Sequence, residues 1–230
     1  MLAILLDPEK TELADLSSRT EAADILLVGG STGTDAEQLV LSLKSQTGKP
    51  VVLFPGNLQQ FAPQADALLF LSVISSRNPD MLIGRQIEAA RQIKQSGMET
   101  IPMGYILIDG GRHTAVETVS QSVPIPQEDK NLITDTAMAA ELLGMKTVYL
   151  EAGSGAATPV SADIIQSVRQ AVSLPLIVGG GICTPRQMMQ AFNSGADIVV
   201  IGNHFERHPE DISLFAAAMT EINKNTGYDR

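Results

Sequence analysis

The segment LPLIVGGGICTPRQMMQAFNSGADIVVIGNHFE (174–206) contains two apolar runs joined by an amphipathic stretch, and each run ends in glycine. The runs 175–179 and 197–202 are too short for helices and lack polar alternation, which is typical of strands buried on both faces of a parallel sheet. Thr184 followed by Pro185 predicts a helix start between them, because threonine is a good N-cap and proline suits the first helical position. The segment therefore predicts a strand–helix–strand unit.

Similar apolar runs alternate with amphipathic stretches along the rest of the chain. They lie at 2–6, 24–28, 50–54, 67–71, 103–108 and 147–150. One amphipathic stretch, 79–97, predicts a helix that ends at Gly97, and another, 128–146, predicts a helix that ends at Gly144. The side chains expected on the buried face of the first are Leu82, Ile83, Ile87, Ala90 and Ile93.

Eight such units in 230 residues predict an α/β protein, a single TIM-type (β/α)8 barrel domain over 1–230, modified around the third helix. The modification is expected because the segment 55–66, where the third helix would stand, is short and contains two prolines. An open doubly wound sheet is the alternative, but its glycine fingerprint is not found after the first run, where LDPEK (6–10) stands instead. The polar segment 109–126 is expected to be a loop, in a place where functional lids are often found.

The composition limits the classes of function. A formal net charge of −10 argues against nucleic acid and against an anionic membrane surface as general partners. Neither the apolar start at 2–6 nor any other run reaches the length of a membrane span, so no stable membrane insertion is expected. With Cys183 as the only cysteine there is no intrachain disulfide, and a cytoplasmic location is expected.

In a barrel, the reactive groups lie where the strands end. Gly180 and Gly181 follow the seventh run, and Gly202 and Asn203 follow the eighth. Glycines let backbone N–H groups approach a phosphate closely, and a helix N-terminus adds partial positive charge. The spacing predicts a phosphate site, although the glycines could also serve only to make tight turns.

Two carboxylates also follow predicted strands. Asp7 is either a Mg²⁺ ligand, with a hydroxyl from Ser31 or Thr32 beside it, or the N-cap of a helix through Leu13 and Leu16. Glu151 is a candidate general base, or else a helix-capping or ion-paired residue. The three histidines, His113, His204 and His208, lack the spacing of a metal site and are expected to be solvated. Cys183 is expected to be a small packed residue.

Six motifs together resemble the geranylgeranylglyceryl phosphate synthase family and its bacterial PcrB-like relatives. They occur in family order, from Leu6 to about Asn203: LDPEK (6–10), LVGGSTG (27–33), VVLFPGN (51–57), YLEAGSG (149–155), VGGGI (178–182) and IGN (201–203). YLEAGSG and GGSTG together are specific, whereas VGGGI and IGN occur in many phosphate-binding barrels. A shorter form of this motif, YLEYSG, also occurs in the family. The longer form found here, YLEAGSG, has an added glycine and resembles the motif of a second subgroup.

The resemblance implies a Mg²⁺-dependent prenyltransferase in ether-lipid biosynthesis. It would join sn-glycerol-1-phosphate to a polyprenyl diphosphate, here expected to be geranylgeranyl diphosphate, with release of diphosphate. Mg²⁺ would bind at Asp7 and Ser31, Glu151 would take the proton of the glycerol hydroxyl, and Tyr149 is the second catalytic candidate. The implied glycerol phosphate site comprises Tyr149, Leu150, Glu151, Ala152, Gly153, Ser154, Gly155, Gly180, Gly181, Gly202 and Asn203.

The resemblance also implies a homo-oligomer, a dimer or a hexamer. One departure from the family is Leu5, at a position where many members have a lysine that reaches the glycerol phosphate. Arg112 or His113 could compensate from the loop after the fifth strand. The alternatives are a barrel isomerase or aldolase that acts on another phosphorylated metabolite, and a phosphate-binding protein without activity.

Overall fold

The computed structural model describes residues 1–30, 35–56 and 60–226. Parallel strands in these ranges form a closed barrel in chain order, in which the first strand pairs with the eighth. This confirms the predicted α/β barrel. The strands are β1 (Leu2–Leu6), β2 (Ile25–Val28), β3 (Val51–Leu53), β4 (Ala67–Val73), β5 (Glu99–Leu107), β6 (Thr147–Glu151), β7 (Leu176–Gly179) and β8 (Ile198–Ile201).

Helices connect the strands and cover the barrel. Thr184 caps the seventh helix as predicted, because its side chain accepts a hydrogen bond from the Gln187 N–H, and Gly97 ends the third helix. In the described ranges the helices are α1 (Leu16–Arg19), α2 (Glu37–Thr47), α3 (Arg85–Ser96), α4 (Ala115–Ser120), α5 (Lys130–Leu142), α6 (Ala162–Ala171), α7 (Pro185–Asn193), α8 (Asn203–Arg207) and α9 (Ile212–Thr226). None of these helices is long and apolar enough to cross a bilayer.

Alternate strand residues point into the barrel and form its inner core. The strand register aligns Leu107 with Glu151, Glu151 with Gly179, and Gly179 with Val200. Because side chains alternate along a strand, Glu151 faces the same interior as Tyr149, one layer closer to the carboxyl ends of the strands. The inner core includes Ala3, Leu27, Val52, Leu69, Met103, Tyr105, Leu107, Tyr149, Ile177 and Val200.

The buried face of α3 differs from the predicted one. Ile83 and Ile87 are 55% and 68% exposed, whereas Gln86 and Ala89 are buried with Ile93. A π-helical turn over Asp80–Gly84 precedes α3 and has more residues per turn than an α-helix, so it rotates the following side chains relative to the 3.6-residue pattern. The prediction was therefore right for Ile93 and wrong for Ile83, Ile87 and Ala90, which are exposed, while Leu82 is half-buried.

The segment 109–126 is not a simple loop, as the sequence had suggested. It contains α4, which begins with a capping box in which Thr114 and Glu117 each accept a hydrogen bond from the backbone of the other. The Gly110 carbonyl oxygen accepts hydrogen bonds from the N–H groups of Ala157 and Thr158, at 2.9 and 3.0 Å. These bonds join the loop after β5 to the loop after β6. Between β3 and β4, the described residues contain no α-helix, as expected for 55–66.

Candidate active site at the carboxyl ends of the strands

A cleft of about 800 Å³ opens where the strands end. One part of its wall is made by the loops after β7 and β8, and the other part is apolar. Seven of the predicted site residues line the cleft: Tyr149, Glu151, Ser154, Gly180, Gly181, Gly202 and Asn203. The apolar part includes Phe61, Leu68, Phe70, Ala89 and Ile93.

The remaining predicted residues of the loop after β6 do not line this cleft. Leu150 and Ala152 are buried in the outer core, between the barrel and its helices. A Cβ on Gly155 would lie 3.8 Å from Asn203 Nδ2, so this loop passes close to the loop after β8. The structure thus brings the loops after β6 and β8 together, as the family resemblance implied, but turns the side chains of Leu150 and Ala152 away from the cleft.

Glu151 is a buried carboxylate with two hydrogen-bond donors. Its Oε1 accepts from the Gly153 N–H at 2.7 Å, and the Tyr149 hydroxyl donates to the same carboxylate. Burial raises the pKa of Glu151 to about 7, and the two hydrogen bonds act in the opposite direction by stabilising the charged form. Glu151 has no basic partner among the described residues, and the N-cap position of α6 is held by Ser161. Neither the ion-paired nor the helix-capping alternative is supported.

The glycines after β7 make room for this arrangement. A Cβ on Gly179 would overlap the Tyr149 hydroxyl, and a Cβ on Gly180 would overlap Glu151 Oε1. Gly180 also has a φ of +83°, in the left-handed region that L side chains rarely adopt. These glycines accommodate the carboxylate, a role that the sequence did not reveal, and Gly179 was not among the predicted site residues.

Three aromatic rings lie together beside Glu151. The Tyr149 ring stacks on Phe54 and on Tyr105, with centroid distances of 5.3 and 5.4 Å. Burial and the nearby Glu151 raise the pKa of both tyrosine hydroxyls well above 10. The hydroxyls therefore stay neutral. Tyr149, predicted as catalytic, can donate a hydrogen bond but cannot act as a base at neutral pH.

Asp7 lies at the end of β1 and is only 6% exposed. Its Oδ1 accepts a hydrogen bond from the Glu9 N–H at 3.0 Å, and Lys10 Nζ lies 2.8 Å from Oδ2. The N-cap alternative for Asp7 was wrong, since the first helix begins at Leu16 and Asp7 caps a turn. Ser31, the other predicted metal ligand, and Thr32 lie outside the described residues.

The Asp7 carboxylate packs against Gly30, where a Cβ would lie 2.9 Å from it, so only a glycine fits at this position without a shift of the carboxylate. The described residues contain no group of three or more histidine, cysteine or acidic side chains within reach of one ion. Mg²⁺ does not require such a group, because it is usually bound by one or two carboxylates together with water and substrate phosphate.

Leu5 contacts the loop after β8, since a Cβ on Gly202 would lie 3.3 Å from Leu5 Cβ. Arg112 and His113 are exposed and do not line the cleft, so the structure gives no support to their compensating for Leu5. His204 does line it. Its side chain is 10% exposed and its Nε2 lies 2.9 Å from Asp211 Oδ2, so the prediction of a solvated residue was wrong.

Cys183 also differs from the prediction of a packed residue. It is exposed at the edge of the cleft, next to the loop after β7. His113 and His208 have side chains that are 72% and 54% exposed, as expected for solvated residues.

Comparisons with known proteins agree with the motifs. A family model described as the PcrB family matches residues 2–220. The chain is 42% identical to a geranylgeranylglyceryl phosphate synthase of Spirosoma linguale, over 97% of this chain and 92% of that protein. It is 47% identical to a geranylgeranylglyceryl phosphate synthase of Flavobacterium johnsoniae, over 90% of this chain and 88% of that protein.

A solved structure is similar over nearly the whole chain. It is the (S)-3-O-geranylgeranylglyceryl phosphate synthase of Thermoplasma acidophilum in complex with its substrate sn-glycerol-1-phosphate. The TM-score is 0.89 and the sequence identity is 32%, with 96% of this chain and 93% of that chain covered.

The raised pKa of Glu151 predicts a pH-dependent stability. Between about pH 4.5 and 7 the folded chain holds a proton that the unfolded chain has lost, so the free energy of unfolding falls as pH rises through this window. Glutamine does not ionise, so Glu151→Gln abolishes this decrease in the free energy of unfolding. The stability of the variant relative to wild type is expected to rise by up to about 3 kcal/mol between about pH 5 and pH 8.

Urea unfolding at several pH values measures this difference. Glu128→Gln is the matched control, because Glu128 is exposed and the same change there should produce no such trend. A difference between the Glu151 variant and wild type that stays constant with pH would contradict the assignment of a raised pKa to Glu151.

Proposed function

The chain belongs to the PcrB family, and we propose that it is a geranylgeranylglyceryl phosphate synthase-type prenyltransferase. It would form an ether bond between sn-glycerol-1-phosphate and a polyprenyl diphosphate, with geranylgeranyl diphosphate as the proposed donor. The observation that carries the proposal is Glu151, a buried carboxylate with a pKa of about 7, located between glycine loops and an apolar groove. The names of the relatives and the bound substrate of the Thermoplasma acidophilum enzyme support it.

Glycerol phosphate is proposed to lie with its phosphate on the loops after β7 and β8. Backbone N–H groups near Gly180, Gly181, Gly202 and Asn203 would bind the phosphate oxygens. Gly180 is adjacent to both the cleft and Glu151 Oε1. A glycerol phosphate anchored there would therefore direct its free hydroxyl end toward the carboxylate.

The prenyl donor is proposed to occupy the apolar part of the cleft. This part extends from the rings of Phe54 and Tyr105 to Phe61 and Phe70. It is lined by residues of β4 and α3. On this side of the barrel, the described residues between β3 and β4 form no α-helix. A missing helix leaves an apolar channel beside the barrel, and burial of a prenyl tail in it would be favourable.

In the proposed reaction, the bond between the allylic carbon and the diphosphate oxygen breaks, and diphosphate leaves with the electron pair. The glycerol hydroxyl oxygen attacks that carbon and forms the ether bond while Glu151 accepts its proton. A base with a pKa near the working pH is well suited to this transfer. The neutral rings of Phe54, Tyr105 and Tyr149 would stabilise the developing positive charge through cation–π interactions.

Mg²⁺ is the proposed cofactor. Asp7 would hold it, together with Ser31 as the sequence predicts, and when bound it would supply positive charge that stabilises the leaving diphosphate. The support from this chain is the carboxylate of Asp7, a hard oxygen ligand that is mostly buried just after β1 and packs against Gly30.

A homo-oligomer, a dimer or a hexamer, is also proposed. Large apolar side chains on the outer helices are exposed, as expected for a surface that another copy covers. They are Ile83 (55%), Ile87 (68%), Leu142 (89%) and Leu143 (72%). A role in ether-lipid biosynthesis follows from the proposed product, and a cytoplasmic location stays a prediction from the sequence.

A barrel isomerase or aldolase is less well supported. Such enzymes often use a lysine at a strand end, and the described residues of the cleft wall include no lysine. A binding protein without activity would not require a buried carboxylate, whose ionisation costs stability at neutral pH.

The proposed function predicts an ether product. The purified protein, incubated with labelled sn-glycerol-1-phosphate, Mg²⁺ and prenyl diphosphates of several lengths, should release diphosphate and the prenyl ether in equal amounts. The enantiomer sn-glycerol-3-phosphate serves as the control acceptor and should give much less product. If no donor yields an ether, the proposal is wrong.

Glu151→Gln tests the base directly. The amide keeps the acceptor for the Gly153 N–H but cannot accept the substrate proton, so kcat should fall by about 10²–10⁴-fold. Binding of sn-glycerol-1-phosphate, measured by calorimetry, should stay nearly unchanged because the phosphate loops are intact. Glu128→Gln should retain the wild-type rate. A wild-type rate in the Glu151 variant would exclude Glu151 as the base.

A further inference from the structure

Lys10 lies between two carboxylates near the end of β1. Its Nζ is 2.8 Å from Asp7 Oδ2 and 3.8 Å from Glu206 Oε2. The side chains of Asp7 and Glu206 are 9% and 17% exposed, whereas that of Lys10 is 53% exposed. Glu206 belongs to α8, three residues after Asn203. Lys10 therefore lies between the proposed metal ligand Asp7 and the helix that follows the proposed phosphate loop after β8.

The position of Lys10 is set by the turn that Asp7 begins. The Lys10 N–H donates to the Asp7 carbonyl oxygen at 3.0 Å, and the Thr11 N–H donates to the same oxygen at 2.9 Å. The backbone of Lys10 is thus held beside Asp7, while its long side chain is half exposed and can change rotamer at little cost. Because the ammonium is half exposed to water, its pairing with Asp7 is easily exchanged.

A divalent cation at Asp7 would compete with this ammonium. Both groups require the same carboxylate oxygens, and two positive charges within a few ångströms repel each other. Displacement would release the ammonium close to the cation, where the donor's diphosphate would also be. Lysine is a common ligand of phosphate oxygens because its ammonium is a compact charge with three donors.

Lys10 is not among the described residues that line the cleft, and the cleft wall itself has few positive side chains to serve this purpose. Among its described lining residues, the basic ones are Arg85 and His204. Arg85 Nη1 donates to the Gly56 carbonyl oxygen at 2.5 Å, and His204 Nε2 lies 2.9 Å from Asp211. In a chain with a net charge of −10, a diphosphate requires local positive charge, and Lys10 is close to the proposed metal ligand.

We propose that Lys10 is the counter-ion of Asp7 in the metal-free protein and becomes a ligand of the donor's diphosphate once Mg²⁺ has displaced it. The inference rests on the proposed function, since it assumes a diphosphate donor and a cation at Asp7. It gives LDPEK (6–10) a second functional residue, Lys10, which binds diphosphate beside the metal ligand Asp7. It also implies that the metal binds before the donor.

Calorimetry with Mg²⁺ alone, and then with inorganic pyrophosphate in saturating Mg²⁺, tests this inference. Lys10→Met keeps the length of the side chain and removes its charge. The variant should bind Mg²⁺ about 3- to 10-fold more tightly than wild type, because the competing ammonium is gone. It should bind pyrophosphate about 10-fold more weakly, because a charged donor is lost.

Lys146→Met is the matched control, since Lys146 is exposed at the opposite end of the barrel, just before β6. It should leave both affinities unchanged, and Lys10→Arg should restore pyrophosphate binding. Unchanged or weaker Mg²⁺ binding in Lys10→Met would overturn the counter-ion role, and unchanged pyrophosphate binding would overturn the ligand role. Thermal unfolding and binding of sn-glycerol-1-phosphate verify that the variant is folded.

These measurements use no prenyl transfer, so they separate the two proposals. A protein that makes no ether but shows the predicted changes in metal and pyrophosphate affinity would retain the role of Lys10 and lose the proposed reaction. A protein that makes the ether but shows neither change would retain the reaction and lose the role of Lys10.

Discussion

The buried hydrogen bond from the Gly153 N–H to Glu151 Oε1, 2.7 Å long, joins the loop after β6 to a carboxylate inside the barrel mouth. A desolvated carboxylate is costly unless donors surround it. Tyr149 supplies a second donor, and Gly179 and Gly180 leave the space that both groups occupy. Burial outweighs these two hydrogen bonds and raises the pKa of Glu151 to about 7. The carboxylate can therefore act as a base near neutral pH.

The position of Glu151 separates two chemically different parts of one cleft. Glycine loops suited to an anion lie on one side, and an apolar groove lies on the other. A reaction that joins a phosphorylated alcohol to a long apolar donor requires both parts and a base where they meet. Asp7 and Lys10 follow β1, where the proposed Mg²⁺ would bind at Asp7 and the leaving diphosphate would lie beside Lys10.

The sequence predicted the barrel and most strand ends, because the short apolar runs reflect burial on both faces of each strand. It missed the start of β5 at Glu99, where polar residues and Pro102 precede the apolar run. It also missed α4, although Thr114 and Glu117 have the spacing of a capping box. Contacts that depend on barrel closure, such as Gly179 against Tyr149 or His204 with Asp211, could not be read from local patterns.

Glu151 is expected to ionise near neutral pH in the free protein, because burial raises its pKa to about 7. Infrared difference spectra between wild type and Glu151→Gln, recorded across a pH titration, isolate the carboxyl band of this single residue. We expect the protonated band to disappear with a midpoint near pH 7. A midpoint near 4.5, the ordinary value of a glutamate, would show that the carboxylate is not held as a neutral acid by burial and would contradict the account.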